Sequence, residues 1–259
     1  EALPDPGTLR VRVHLLAARL GLDPVRNTAL AVTASQACGP ETQGAALVQR
    51  MLTTYNAEEA DALATTLTAL RAHVAAHPHS RAEVSLLLFD AIGFLGTPEH
   101  ARALPHGQRA LALLEAGARV PALEQRAYRT IAFVHLQEGR LAEAERCVRE
   151  GVARATSAEV SPGASLSLLG RIQTQAGRLD EAQESLSRAL EACRIQSHGA
   201  GVTEVLLQLG RHAMLADQPD DAWAWLGSAR LEAERCDLPM AAGVARCMEG
   251  LLHVRAGDP

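Results

Sequence analysis

Residues 169–190 read LGRIQTQAGRLDEAQESLSRAL, and their spacing decides the fold. Gly170 and Ala182 are small residues twelve positions apart, one on each of two helices, and they allow the paired helices to approach closely. Gly177 falls between them, where the residue that ends a helix takes a left-handed conformation suited to glycine. Leu186, Ala189 and Leu190 continue an apolar stripe at helical spacing. The segment therefore reads as helix, tight turn, helix.

The same frame recurs on both sides, and a fixed period settles a whole architecture. About 38 residues earlier stand Ala132, Gly139, Ala144, Val148 and Gly151. About 40 residues later come Leu209, Gly210, Asp217, Ala222, Leu226 and Ala229, and a further step reaches Gly250 and Gly257. Towards the N-terminus, Ala91, Ala103 and the Ala110–Leu111 pair fit the frame, then Ala62 and the Ala69–Leu70 pair, with a weaker unit over 8–38.

This pattern resembles the tetratricopeptide repeat. Small residues at repeat positions 8 and 20, Gly at 15 and Ala-Leu at 27–28 match that family over residues 164–190, and the match extends to 126–152 and 204–230. The spacing of 38–41 exceeds the family's usual 34. The usual aromatics at positions 4 and 11 are mostly replaced, as by Leu166 and Gln173. Longer repeats of this kind are similar to those of kinesin light chains and bacterial signalling regulators. The resemblance implies one all-α domain over 1–259, a right-handed superhelical solenoid of antiparallel helix pairs with a concave groove. Its clearest repeats are 121–156, 162–197 and 200–236, with weaker repeats over 8–116.

Helix ends are punctuated independently of the repeat. Asp23-Pro24, Thr97-Pro98 and Ser161-Pro162 each place a capping side chain before a proline suited to the first helical position. Asn56 with Glu59 and Ser80 with Glu83 have capping-box spacing. Gly21, Gly39, Gly96, Gly117, Gly139 and Gly177 stand where helices should stop. These signals predict about thirteen helices: 8–20, 24–38, 41–54, 57–76, 81–95, 98–116, 121–138, 141–156, 162–176, 179–197, 200–216, 219–236 and 239–256. Pro105 should kink or split the sixth. An odd count leaves 239–256 unpaired, with Val244, Met248, Leu251, Leu252 and Val254 to cover. Solenoid ends need a polar cap. The expectation is that the natural chain continues beyond Pro259, and the open face is also a candidate self-association surface.

Composition excludes several chemistries. The 259 residues include 49 Ala and 38 Leu, strong helix formers, against four Ile and 3% aromatic residues. All 25 basic residues are Arg. Without Lys there is no P-loop, no Schiff-base amine and no kinase-type Lys. A net charge of −5 and few aromatics argue against nucleic acid as a partner of this domain. No apolar run is long enough to span a bilayer. Five widely spaced Cys without a CxxC motif read as reduced thiols of a cytoplasmic protein. The start at Glu1 fits a fragment or processed form.

No nucleophile or metal motif stands out. GxSxG, HExxH and GxGxxG are missing, and the acidic groups Glu58, Glu59 and Asp61, and Asp180 with Glu181, lie in first turns where they complement the helix dipole. His73 and His77 share a helical face with His79 close by, but no Cys or carboxylate completes a metal set. His135 and His253 share repeat position 11, where a packing tyrosine is usual. Trp223 and Trp225 are two apart and cannot face the same side, so one should pack in the core and the other mark a contact surface. No catalytic residue, cofactor or metal is expected.

The resemblance implies that first helices line the groove through positions 2, 5, 9, 12 and 13. Carried over by register, these include Arg126, Arg129, Phe133 and Gln137 in one repeat, Arg171 and Gln175 in the next, and Arg211 and Met214 in the third. Arg129, Arg171 and Arg211 would form a ladder suited to an extended acidic segment, since guanidinium grips carboxylate in a two-pronged fork. Phe133 and Met214 would supply apolar anchors, and Gln137 and Gln175 backbone contacts. The competing reading pairs each Arg with a neighbouring Glu. The lysine and asparagine of the family's chaperone-binding clamp are missing here. The expected function is a non-catalytic protein- or peptide-binding scaffold. The alternative is a ligand-sensing regulatory domain of a larger bacterial signalling protein, either a transcription activator or a second-messenger enzyme.

Overall fold

A computed structural model describes residues 5–19, 22–117, 119–157, 160–196 and 198–256. Among them it contains thirteen α-helices and no strand. They are α1 (Pro6–Arg19), α2 (Pro24–Ser35), α3 (Pro40–Asn56), α4 (Ala60–Ala76), α5 (Arg81–Ile92), α6 (Ala103–Ala116) and α7 (Pro121–Gln137). The others are α8 (Leu141–Ser157), α9 (Gly163–Gln175), α10 (Leu179–Ile195), α11 (Gly199–Leu215), α12 (Pro219–Arg235) and α13 (Pro239–Ala256). The fold is the all-α solenoid of antiparallel helix pairs that the repeat frame implied. Packing divides the chain into two compact units, one of Glu1–Gly93 with Arg109–Ala118, the other of Phe94–Gln108 with Arg119–Pro259.

In the second unit, α7 pairs with α8, α9 with α10 and α11 with α12. Each first helix also touches the next, in the order α7, α9, α11, α13, whereas α8, α10 and α12 do not pack on one another comparably. First helices therefore form the inner row of this unit. Close approach within a pair depends on the small residues. A Cβ on Gly170 would lie 2.5 Å from Leu186 Cγ and 3.2 Å from the Ala182 carbonyl oxygen, and one on Gly210 would lie 2.5 Å from Leu226 Cδ2. Ala132, Ala144, Ala182 and Ala222 are fully buried at the equivalent contacts. The core that results runs from Leu136 and Val148 through Ile172 and Leu186 to Leu209, Leu226 and Met248.

In the first unit, α1, α3 and α5 adjoin in succession and α2 and α4 pack against them. Leu47, Met51, Leu70, Ala82 and Leu86 form its main core, with Val11, Ala31 and Ala46 in a smaller cluster.

The helix-end signals divide. Asp23 caps α2 by accepting from Arg26 N at 3.1 Å, with Pro24 at the first turn. Ser80 caps α5 through Glu83 N at 3.3 Å, while the Glu83 carboxylate accepts from His79 N. Asn56 is instead the last residue of α3, and Glu58 takes a left-handed turn at φ 57°, so the box expected from Asn56 to Glu59 does not form. Ser161 accepts from Gly163 N at 3.3 Å, but Pro162 sits at the cap rather than inside the helix. Thr97-Pro98 starts no α-helix. Thr97 Oγ1 donates to Phe94 O at 2.8 Å in a turn, and a single 3-10 turn at His100–Arg102 precedes α6. The sixth helix therefore begins at Ala103, which puts Pro105 in its first turn, where a missing N–H leaves no bond unmade.

Gly96, Gly139 and Gly177 are left-handed, at φ 82°, 74° and 76°. Gly39 caps the start of α3 at φ −67° instead of ending α2, and Gly117 ends α6 without a left-handed turn. Gly21 and Gly257 lie outside the described residues. Asp217 occupies the place of Gly139 and Gly177 in the next repeat and is held at φ 58°.

Two substitutions test this packing. Gly170→Ala gains about 1 kcal/mol of helix propensity, but overpacking costs about 1–3 kcal/mol, and a clash with Leu186 Cγ cannot be relieved by the end of a flexible chain. Its thermal midpoint should fall. Asp217→Gly removes a left-handed penalty and should stabilise by about 0.5 kcal/mol. Calorimetry of both variants checks the opposite signs.

Candidate functional site

The inner row of the second unit carries all eight residues expected to line a groove. Arg129 on α7 is partly accessible at its surface yet crowded around its guanidinium. Burial pushes its pKa down to about 10, with Arg126 adding to the fall and Glu204 opposing it. Arg171 on α9 lays its guanidinium carbon 5.0 Å from the centroid of the Phe133 ring, a cation–π contact between successive repeats. Its Nε is buried with no hydrogen-bond partner. Burial lowers its pKa, the neighbouring Arg211 lowers it further, and Glu204 opposes. Among the described residues, Arg129, Arg171 and Arg211 make no ion pair with a carboxylate. Elsewhere in this unit arginines are paired: Arg178 with Glu145 across two repeats, and Arg119 and Arg154 with buried Glu124 at 2.8 and 2.7 Å.

Arg171, Gln175, Arg211 and Met214 meet at one cavity of about 360 Å3. Thr174 and Leu215 also line it, as do Gln208, Met248, Leu251 and Arg255, and these last four were not expected there. Gln208 donates to Glu204 Oε1 at 2.7 Å, and Arg255 Nη1 donates to the Met214 carbonyl at 3.0 Å. Counted from Gly250 as position 8, Leu251 and Arg255 hold positions 9 and 13 of the next first helix, so the register contained that signal. The other four expected residues do not reach the cavity. Arg126, Arg129 and Phe133 stand one repeat away on α7, and the Gln137 side-chain oxygen accepts from Gly96 N at 3.4 Å. The cavity thus combines guanidinium groups of one sign with an apolar wall of Met214, Met248 and Leu251, a setting for a ligand with an anionic and an apolar part.

Thr174, part of that lining, and His212 join successive first helices. Thr174 Oγ1 donates to the Gly170 carbonyl at 2.8 Å, so it accepts from His212 Nδ1 at 3.3 Å. Among the described residues no cluster could hold a metal ion. His73 and His77 touch ring to ring at 4.9 Å, and His79 is in a left-handed turn. His135 Nδ1 is buried without a hydrogen bond. Both Trp223 and Trp225 are partly buried against the core, Trp223 edge-on to His253 at 4.6 Å, so neither divides into core and contact surface as expected. All five cysteines are free thiols. No helix among the described residues is long and apolar enough to cross a membrane.

Residues 123–195 match the family model for the tetratricopeptide repeat. Over this stretch the chain is similar to the tetratricopeptide repeat. The match spans α7 to α10, the two pairs that carry Arg129 and Arg171. No curated protein matches the sequence. Solved tetratricopeptide-type structures are similar in fold. PilW, a widely conserved type IV pilus biogenesis factor, superposes with a TM-score of 0.59 at 15% identity over 88% of this chain and 94% of its own. A Rap protein complexed with competence and sporulation factor gives 0.59 at 15% identity over 95% and 76%. Bacillus thuringiensis PlcR, in complex with the peptide PapR7 and DNA, gives 0.60 at 12% identity over 77% and 72%. At such identities the likeness establishes the fold alone.

The polar seam gives a pH prediction. His212 is 5% exposed, and burial holds its pKa below the ordinary 6.5, with Asp180 opposing. The unfolded chain then binds the proton more readily, so stability is full above about 6.5 and is lost as pH falls towards the depressed folded value. His73 and His135 are shifted the same way, each chiefly by burial. The thermal midpoint should fall between pH 7.5 and 5.5, and fall less in His212→Gln.

Proposed function

We propose that the chain is a non-catalytic scaffold whose inner row of first helices binds a protein or peptide segment with acidic and apolar side chains. One observation carries this reading: Arg171, Arg211 and Arg255 line a cavity with an apolar wall, and Arg171 and Arg211 have no internal carboxylate partner among the described residues. Unpaired, partly buried cations raise the energy of the free protein, and an anionic ligand relieves that cost. Phe133 extends the apolar surface through its contact with Arg171, and Arg126 and Arg129 continue the positive charge along α7. PlcR, similar in fold, is known in complex with the peptide PapR7, which supports a peptide as ligand class.

A second reading takes the chain as the ligand-sensing part of a larger bacterial signalling protein. It is favoured by the fold likeness to a Pyrococcus horikoshii signal-transduction ATPase with a tetratricopeptide repeat sensor, of which this chain spans 39% at 12% identity. An effector domain in the same reading frame supports it, and the lack of one on either side removes it.

The scaffold reading is tested with a peptide array probed by the wild-type chain and by an Arg171→Gln, Arg211→Gln double variant. A hydrogen bond to a charged group contributes about 1.5–3 kcal/mol, so acidic peptides should bind the variant at least about tenfold more weakly. If every retained peptide binds the variant as tightly, the reading is wrong.

A further inference from the structure

The first unit holds a cavity of about 420 Å3 between α1, α3 and α5, with His73 of α4 in its wall. Ligand pockets range upward from about 300 Å3, so a small organic molecule fits. Val11, Leu15 and Val48 supply apolar wall, and Val11 is only 1% exposed.

His73 is the polar side chain that α4 contributes to the cavity wall. It is 9% exposed, and among the described residues no hydrogen bond reaches its ring. The helices make room for the ring: a Cβ on Gly44 would stand 2.9 Å from His73 Nε2 and 3.0 Å from Ala82 Cβ. Burial and the neighbouring His77 lower its pKa, with Glu41 opposing. The ring is then neutral at pH 7 and offers one donor and one acceptor.

The rim is charged. Arg12, Arg81 and Glu41 all line the cavity and are exposed, and none forms an ion pair among the described residues. Two cations against one carboxylate favour a ligand with a single negative charge.

We propose that this cavity binds a small amphipathic monocarboxylic acid. Its apolar body lies along Val11, Leu15 and Val48, its carboxylate faces Arg12 and Arg81, and a second polar group meets His73. The site shares no residue with the peptide-binding row and stands or falls separately from it.

Calorimetric titration of the full chain with octanoate, with octanoate hydroxylated at its far end, and with octanol tests the proposal. Both acids should bind at a single site, the hydroxylated acid several-fold more tightly, and octanol at least about tenfold more weakly than octanoate. His73→Phe should abolish the preference for the hydroxylated acid. Ala45 is exposed and lines the cavity. Ala45→Trp should keep the wild-type circular dichroism and peptide binding while losing at least about tenfold in octanoate affinity. If that variant does not fold, Arg12→Ala with Arg81→Ala alters exposed side chains only, and should weaken octanoate about fivefold without changing octanol. No binding of either acid to the wild type overturns the proposal. So does equal affinity for octanoate and octanol, or octanoate binding undiminished in the folded variants.

Discussion

The backbone of α9 lies so close to α10 that position 170 has no space for even one methyl group, and the rest of the second unit follows from that approach. A side chain at Gly170 would collide with Leu186 and press on the Ala182 carbonyl, and Gly210 meets Leu226 in the same way. Leu186, Ala189 and Leu190 are buried in the core that runs through these pairs. The first helices are then brought side by side as an inner row. Hydrophobic burial drives the stacking, but it would act equally on looser arrangements. The small residues select this one.

A regular row has an electrostatic consequence. Because every first helix stands in the same register, residues at one repeat position face one another across successive repeats. At position 9 the row carries Phe133, Arg171, Arg211 and Leu251, so two guanidinium groups become neighbours, and Arg211 adds to the fall that burial causes in the Arg171 pKa. Elsewhere the same residue type is paired, Arg178 at the N-cap of α10 with Glu145 and Arg235 at the end of α12 with Glu232. Those arginines are neutralised locally, while the unpaired Arg171 and Arg211 of the inner row raise the energy of the free protein. Stability given up at such positions is characteristic of sites that meet a ligand.

Helix ends governed by one residue's backbone preference were legible in the sequence. Gly139 and Gly177 mark turns because left-handed conformation suits glycine, and Asp23 and Ser80 cap because their oxygens reach the next turn. Where a signal depended on its surroundings, legibility failed. Asn56 and Glu59 have capping-box spacing, but α3 runs on through Asn56 and Glu58 absorbs the turn. Thr97-Pro98 looks like a helix start, but the chain is held by its own turn to Phe94. Placement of Arg129, Arg171 and Arg211 on one row followed from the groove positions that the resemblance implies, carried over by register. The stacking of Arg171 on Phe133, the capture of Gln137 by Gly96 and the closure of the cavity by Met248 and Arg255 are contacts between repeats, and no single repeat's sequence contains them.

The central claim is that Arg171 and Arg211 stand together without a carboxylate partner. The most direct measurement is the thermal midpoint of Arg211→Gln at low and at high ionic strength. Relief of like-charge repulsion should raise the midpoint at low salt, and the gain should shrink as salt screens the charges. A midpoint that falls at low salt and recovers at high salt would show that Arg211 is held in an ion pair, and would contradict the account.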